Sequence, residues 1–445
     1  MWHGTYREDN AGPQSGSLTP ELAPLRIPPA NRSPMPRPTP HICPENTAEL
    51  VAWMVSNHGG SRSRVRPLGG GTSPVWLAAP SEGTCLLGTS RLRRVVEYPA
   101  RDMTITVEAG MTIDELQQVL ATEGQRLPLD VPHSQHATLG GVLATNASGC
   151  RRYGLGTIRD SLIGVSACDA QGRLFKSGGR VVKNVAGYDL CKMLIGSEGS
   201  LAIVTQATLK VLPRPQSAGA VWVPLASLVD SETTLATLVT TQTRPVAVEV
   251  WNHHAVDQCL AGNRSVVAGP AGFVCVAYEG SLREVQWQTT MFGEELRRLG
   301  IDFESRLSPE APETLWADLN RFHNHSSSPE FKISVRPSCI VEVLVAGTQL
   351  GFSLSSHAGS GICWGRTADG ISAANVVDRV LQLRRIVETL QGHLRWLGGP
   401  TASGGLPASS PLPGGTELLL HKLKQQLDPQ GILFPCGPAN SSQTP

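Results

Sequence analysis

Pro67-Leu68-Gly69-Gly70-Gly71-Thr72-Ser73 is the stretch on which the fold turns. It follows an apolar-basic run at 64–66 that reads as a strand. Three consecutive glycines let successive backbone N–H groups turn toward one point without Cβ clashes, which makes an anion-binding nest. Thr72 and Ser73 add hydroxyl donors. A pyrophosphate is the natural occupant, although a plain tight turn accounts for the same residues. The familiar nucleotide motifs do not apply. The chain has no G-x-x-x-x-G-K-[ST], and this cluster lacks the G-x-G-x-x-G spacing that opens a helix.

Two further clusters lie downstream. Thr138-Leu139-Gly140-Gly141-Val142-Leu143-Ala144-Thr145-Asn146-Ala147-Ser148-Gly149 is built of small side chains, so its backbone can approach a flat ring closely. Close helix packing would need the same residues. Gly196-Ser197-Glu198-Gly199-Ser200-Leu201-Ala202-Ile203-Val204-Thr205 is a tight turn entering a strand. Each cluster alone admits an ordinary structural role. Three of them in this order, separated by strand signals, are far more specific.

Working outward, residues 1–39 are rich in Pro, Ser, Asn and Arg without apolar periodicity, and read as a disordered tail. Order begins at Pro44, with Asn46 or Thr47 capping a helix that carries Leu50, Val51, Met54 and Val55. Residues 104–108 read as a strand, and Thr112-Ile113-Asp114-Glu115 as a capping box for a helix to about 122. Residues 162–168 and 172–176 form a hairpin, and the β-branched run 201–212 ends at Pro213-Arg214-Pro215, a domain boundary. Beyond it, strand, helix, strand recurs twice: 221–223, 227–238 and 246–250, then 273–278, 282–299 and 301–303. That order predicts helices on one face of an antiparallel sheet. A long helix over about 372–397, a Gly/Ser/Pro loop at 398–415 and a last helix at 417–427 follow. The expected organisation is a tail (1–39), a first domain (40–215), a cap or substrate domain (216–416) and a C-terminal helix with tail (417–445), α+β throughout.

With these elements in place, residues 41–215 resemble the FAD-binding domain of the vanillyl-alcohol oxidase and p-cresol methylhydroxylase (PCMH-type) flavoproteins. The resemblance implies two α/β subdomains followed by an antiparallel cap. It also implies a cofactor site at Gly69, Gly70, Gly71, Thr72 and Ser73 around the pyrophosphate. Thr138, Gly140, Gly141, Thr145, Ser148 and Gly149 would line pyrophosphate and isoalloxazine, and Gly199, Ile203 and Val204 the adenosine side. Covalently flavinylated members often carry His in the first loop; Thr72 stands there instead, which implies non-covalent FAD. Val181 to Leu190, Leu127-Pro128-Leu129-Asp130 and Arg151-Arg152-Tyr153 are similar to the FAD-binding subunits of glycolate oxidase, the E-type branch in particular. Leu315-Trp316, Phe331-Lys332-Ile333-Ser334 and Asp428 to Pro435 echo it less strongly. That branch implies removal of a proton and a hydride from a small 2-hydroxyacid such as glycolate. It also implies two partners, a larger homologous flavoprotein subunit and an iron–sulfur subunit.

Composition narrows the alternatives. Forty per cent hydrophobic and 17% charged residues describe a soluble globular protein, and a net charge of +1 disfavours nucleic acid as partner. The ten cysteines include no C-x-x-C pair, so an iron–sulfur or zinc ligand set is not expected in this chain. No apolar run approaches the roughly 20 residues needed to span a bilayer. A cytoplasmic protein, reaching a membrane only through partners, is the expectation. Residues 151–214 are locally basic, ten Lys or Arg against four Asp or Glu; steering of an anionic substrate competes with a solvated face or a subunit interface.

No catalytic residue stands out. His357-Ala358-Gly359-Ser360-Gly361 faintly resembles a His-x-Gly-Asp-Gly-Asn segment of sibling enzymes, but Ser360 replaces the acid and no H-x-x-x-x-x-x-H pair appears in the second domain. No metal site is expected, and His357 reads as a loop residue. His133 and His136 lie in a Pro-flanked loop, and His253-His254 after a strand end, facing solvent. Lys332 and Arg336 could pair with a carboxylate, though surface charge is the simpler reading. Three classes of function remain open: a flavin subunit of a multi-subunit 2-hydroxyacid dehydrogenase, a self-sufficient oxidase of another hydroxy acid or alcohol, and a non-catalytic flavin scaffold.

Overall fold

The computed structural model describes residues 41–73, 83–179, 189–260, 266–308, 312–325, 330–368, 373–397 and 416–434. All lie within one compact unit, Pro36–Pro445. The tail 1–39, most of the Val181 to Leu190 segment, the loop 398–415 and Pro435 fall outside the described residues.

The first half opens with a helix, Thr47–Gly59, capped by the Asn46 side chain on the Glu49 N–H. Two short parallel strands, β1 (Arg64–Leu68) and β2 (Thr84–Gly88), follow. Strands β3 (Val95–Glu97), β4 (Thr104–Glu108), β6 (Leu162–Cys168), β7 (Leu174–Gly178) and β8 (Ile203–Lys210) make an antiparallel sheet in the order β3-β4-β8-β6-β7. A small antiparallel pair, β5 (Gln125–Arg126) with β9 (Leu212–Pro213), sits at the predicted boundary. The helix Ile113–Ala121 has the full capping box expected of Thr112 and Glu115, and buries Ile113, Leu116 and Leu120.

The second half is one eight-stranded antiparallel sheet: β10 (Ser217–Leu225), β11 (Ala247–Asn252), β12 (Gly272–Gly280), β13 (Glu304–Ser308), β14 (Phe331–Ser334), β15 (Phe352–His357), β16 (Ile362–Thr367) and β17 (His393–Trp396). Their order is β13-β10-β12-β11-β15-β16-β14-β17. Alternation sorts the side chains. Val221, Val223, Val248, Val250, Val274 and Val276 face the helices Leu282–Arg298, Ile340–Gln349 and Ala373–Thr389. Ala220, Trp222, Ala247, Trp251, Phe273 and Cys275 face the other way, against the helices His253–Leu260, Pro312–Leu319 and Arg321–Asn324.

Three expectations need correction. Helices cover both faces of this sheet, as the near-continuous apolar runs of β10 and β12 in fact require. Residues 301–303 are irregular, and the strand begins at Glu304. The long helix stops at Thr389: Gln391 adopts a left-handed conformation, the Gly392 N–H bonds the Val387 carbonyl, and the alternating Leu394 and Trp396 enter β17. Among the described residues no helix is long and apolar enough to cross a membrane.

The last helix, Thr416–Leu427, returns to the first half, where Leu423 and Leu427 pack against its core. Residues 432–434 then lie beside β1, with Val65 donating to Ile432 at 2.6 Å and Phe434 donating to Val65 at 2.9 Å. Lys424 fastens this return. Its Nζ donates to the carbonyls of Ser200 (2.6 Å) and Leu433 (2.9 Å) and pairs with the buried Asp428 carboxylate at 2.5 Å. Removing one partner of a buried pair strands the other charge. Lys424→Met should therefore lower unfolding stability by about 3 kcal/mol, read as a drop in the urea midpoint with unchanged slope.

Candidate active site

The three glycine clusters meet. In the first loop the glycines serve closeness as much as conformation. A Cβ on Gly69 would lie 2.2 Å from Thr138 Oγ1, and one on Gly70 only 1.6 Å from the His136 carbonyl oxygen. Gly71 alone of the three takes a positive φ, +65°. The second cluster forms the helix Leu139–Thr145, whose N-cap Thr138 accepts from the Gly141 N–H. Gly140 presses on Ala109, its N–H bonding the Ala109 carbonyl at 2.7 Å. At the far end, the N–H groups of Gly196 and Glu198 bond the carbonyls of Leu143 and Ala144, which a helix end leaves open. The third cluster is thereby fixed to the second, and Gly199 rests on Pro67 of the first.

One cleft runs along all three. It is lined by Gly69, Gly70, Gly71, Thr72, Ser73, Thr138, Gly140, Gly141, Thr145, Ser148, Gly199, Ile203 and Val204, thirteen of the fourteen residues expected from the sequence. Gly149 is the exception. It faces away, where a Cβ would meet Asp130 and Asn320, so its role is packing. Asn146, which ends the helix in a left-handed conformation, also lines the cleft, and its Oδ1 is buried without a partner among the described residues. A clash-free glycine floor together with a buried oxygen lacking a partner suits a bound cofactor that is narrow, flat and polar along one edge.

The cleft continues into the second half, reaching His323, Lys332, Trp364, Arg395 and Leu397. Sequence reading missed this end. Lys332, expected at the surface, is half-buried on β14 with its ammonium 5.0 Å from the centre of the Trp364 ring. Burial, with Arg152 and Arg395 nearby, brings its pKa down to about 8. Arg336 is exposed, as surface charge should be. Arg395 pairs with Glu198 across the cleft, joining β17 to the third glycine cluster. His323, just past the helix Pro312–Leu319, is buried with its Nε2 lacking a partner among the described residues. Burial and the neighbouring His357, Arg366, His133 and Lys332 hold its pKa well below the usual imidazole range.

His357 is no loop residue either. It closes β15, directly across from Glu249 on β11, and its Nδ1 lies 2.7 Å from Glu249 Oε1. Burial pushes the Glu249 carboxyl well up and brings His357 down to about 3. Burial thus opposes charge on both partners of this contact. His133 lines the cleft, whereas His136 is exposed. His253 and His254 are half-buried, their ring centres 3.9 Å apart. Among the described residues no three His, Cys, Asp or Glu side chains gather as a metal-ligand set.

The basic segment also resolves. Arg151 is buried against Asp130 (2.5 Å) and Glu279 (3.1 Å) and stacks on Trp316; Arg126 also pairs with Glu279. Burial raises the Asp130 pKa, but Arg151 outweighs it and holds the carboxyl below its ordinary value. Arg173 pairs with Asp169, and Arg159 and Lys192 each bond the other's backbone carbonyl. Among the described Lys and Arg of this segment, Arg152 donates to the cleft residue Ser148 at 2.8 Å and so adds positive charge near the site.

Residues 38–178 match the family described as FAD binding domain. The chain carries a PCMH-type FAD-binding domain. This flavoprotein is 28% identical to glycolate oxidase subunit GlcE of Escherichia coli (strain K12) over 369 residues, 82% of the chain and 90% of that subunit. It is 33% identical to glycolate oxidase subunit GlcD of Bacillus subtilis (strain 168) over 178 residues, 40% of the chain but only 37% of that relative's length. Among solved structures, an alkyldihydroxyacetonephosphate synthase covers 88% of the chain with a TM-score of 0.63 at 18% identity; the match spans 76% of that chain and shows a shared fold.

The glycine contacts give a direct test. Gly70→Ala must displace backbone at 136–137, and should yield colourless protein that does not recover its 450-nm band with added FAD. Gly59→Ala, where a Cβ meets nothing within 4 Å, should stay yellow.

Proposed function

We propose that this flavoprotein is the FAD-carrying subunit of a glycolate-type 2-hydroxyacid dehydrogenase. The observation that carries the reading is the single cleft that begins on glycine loops and ends on a partly buried cation above an aromatic ring. In this reading the loop at 69–73 holds the FAD pyrophosphate through backbone N–H groups. The small residues 138–148 admit the ring system, and Gly199, Ile203 and Val204 flank the adenosine. FAD, when bound, supplies the two-electron acceptor for the hydride on the hydroxyl-bearing carbon. Lys332 anchors the substrate carboxylate, and Trp364 sets the width of the space beside it. Thr72, having no ring nitrogen to alkylate flavin, leaves the cofactor non-covalent. Acid precipitation should accordingly release all of the flavin into the supernatant.

Partners follow from chemistry. Electrons must leave the reduced site, and the chain offers no cysteine set for a cluster of its own. An iron–sulfur subunit and a larger homologous flavoprotein subunit would take them on, and would provide any attachment to a membrane. The relatives' names, two different subunits of glycolate oxidase, support such an assembly.

Two measurements test this reading. Glycolate added anaerobically to the isolated chain should leave the visible flavin band intact until the partner subunits are present. Bleaching by the chain alone would instead make it self-sufficient, and a band that glycolate never bleaches, even in the complex, would leave a scaffold. Lys332 is a cation below about pH 8, so carboxylate binding should be strongest there and fade above it. Lys332→Met should raise KM on the order of tenfold and remove that alkaline decline.

A further inference from the structure

The reaction needs a group to take the hydroxyl proton, and the cleft holds few candidates. The described residues lining it include His133, Glu198, His323, Lys332 and Arg395 as ionisable side chains. Glu198 is engaged by Arg395 in a pair that bridges the two halves. Lys332 is a cation at neutral pH. His133 sits in the loop beside the first glycine cluster, its backbone N–H bonded to Asn324. His323 differs in three respects. It is only 2% exposed, it borders the Lys332–Trp364 end, and its buried Nε2 lacks a partner among the described residues.

Its surroundings hold it firmly. The Trp364 ring meets it edge-on at 5.0 Å between centres, and the Phe322 ring at 5.8 Å. Arg366 lies 4.0 Å from the centre of the Phe322 ring and donates to the Phe322 carbonyl, fixing the backbone next to His323. Behind it stands His357, 5.6 Å away between ring centres, with Nδ1 on Glu249.

We propose that His323 Nε2 accepts the hydroxyl proton of the bound 2-hydroxyacid, and that Glu249 and His357 are positioning residues behind it. The inference rests on the hydroxyacid reading above. As the O–H bond breaks, the proton moves to Nε2. The oxygen electrons form the C=O bond while the C–H pair leaves as hydride to the oxidised flavin, giving the 2-oxoacid.

His323 is faced by His357, Arg366, His133 and Lys332, all of which disfavour a proton on it. The substrate supplies the missing negative charge. A carboxylate seated on Lys332 and an oxygen losing its proton beside Nε2 both favour the imidazolium. His323 therefore becomes basic when, and only when, the anion arrives. Glu249 holds the His357 ring in place behind it through the 2.7 Å contact to Nδ1.

Oxalate, a dianion that resembles the deprotonated substrate, isolates this step from turnover. The test is isothermal titration of the FAD-loaded protein at pH 6.5, in buffers of different ionisation enthalpy. Lys332 is already protonated there, so any uptake reports another group. The expected result is about one proton taken up per oxalate, with affinity tightening toward tenfold per unit of falling pH. His323→Asn should still bind flavin and oxalate but take up almost none, whereas His357→Asn should retain the uptake. Oxalate that binds the wild-type protein without proton uptake overturns the assignment, even if the variant fails to fold. So does uptake that survives in His323→Asn and disappears in His357→Asn. Oxalate that does not bind at all tells against the hydroxyacid reading itself.

Discussion

The approach of two backbones with nothing between them is the constraint on which this molecule depends. Gly70 meets the carbonyl of His136, and Gly69 meets the Thr138 hydroxyl, at distances that exclude even a methyl group. That contact sets the first loop against the second. Carbonyls at the end of the helix Leu139–Thr145 then fix the third turn, through Gly196 and Glu198. A cofactor cleft made this way owes its shape to main chain rather than to side-chain packing. Its walls cannot relax by changing rotamer. The second half contributes different material: a cation and an aromatic ring carried on strands of one sheet, and an imidazole, His323, from the helix Arg321–Asn324. The flavin domain thus defines where a ligand lies, and the cap defines what chemistry meets it.

Elements with local causes were legible in the sequence. The Thr112–Glu115 capping box, the strand Thr104–Glu108 and the last helix all follow from residues within a few positions of one another. The glycine-lined part of the cleft was legible for the same reason, since each glycine cluster is contiguous. The contact of Gly149 with Asp130 was not legible, because the two are nineteen places apart in sequence and only the fold brings them together. The other end of the cleft was mostly hidden: from sequence Lys332 could pair with a carboxylate, but surface charge is the simpler reading. Lys332 meets Trp364 because β14 pairs with β16, and β17 reaches the cleft by pairing with β14 across sixty residues of chain. Nothing near Lys332 announces the ring beneath it. One signal was available: Glu249 sits between valines in a strand otherwise built for the interior, and a carboxyl there requires a buried partner. His357 is that partner.

Charge is used sparingly and mostly for structure. The excess of Lys and Arg at 151–214 reads as anion steering, a solvated face or a subunit interface, yet Arg151 is paired with Asp130 and Glu279, and Arg173 with Asp169. The buried Arg126–Glu279–Arg151–Asp130 chain ties the flavin half to β12 of the cap. Among the described residues, Arg152 stands beside the cleft and Lys332 and Arg395 line it, Arg395 already matched by Glu198. A site with little net positive charge can discriminate by where that charge stands rather than by how much of it there is.

The return of residues 432–434 to Val65 bears on how the protein is made. Strand β1 leads directly into Gly69, so the segment that sets the first loop's entry angle leans on residues synthesised some 370 positions later. While the ribosome is still translating, the flavin half has its sheet but not its finished edge. That edge is completed only by the far end of the chain, where Lys424 is fastened onto Ser200. The last residues to leave the ribosome are thus neighbours of the first glycine loop, and a chain cut short before Ile432 would present β1 with that side unpaired.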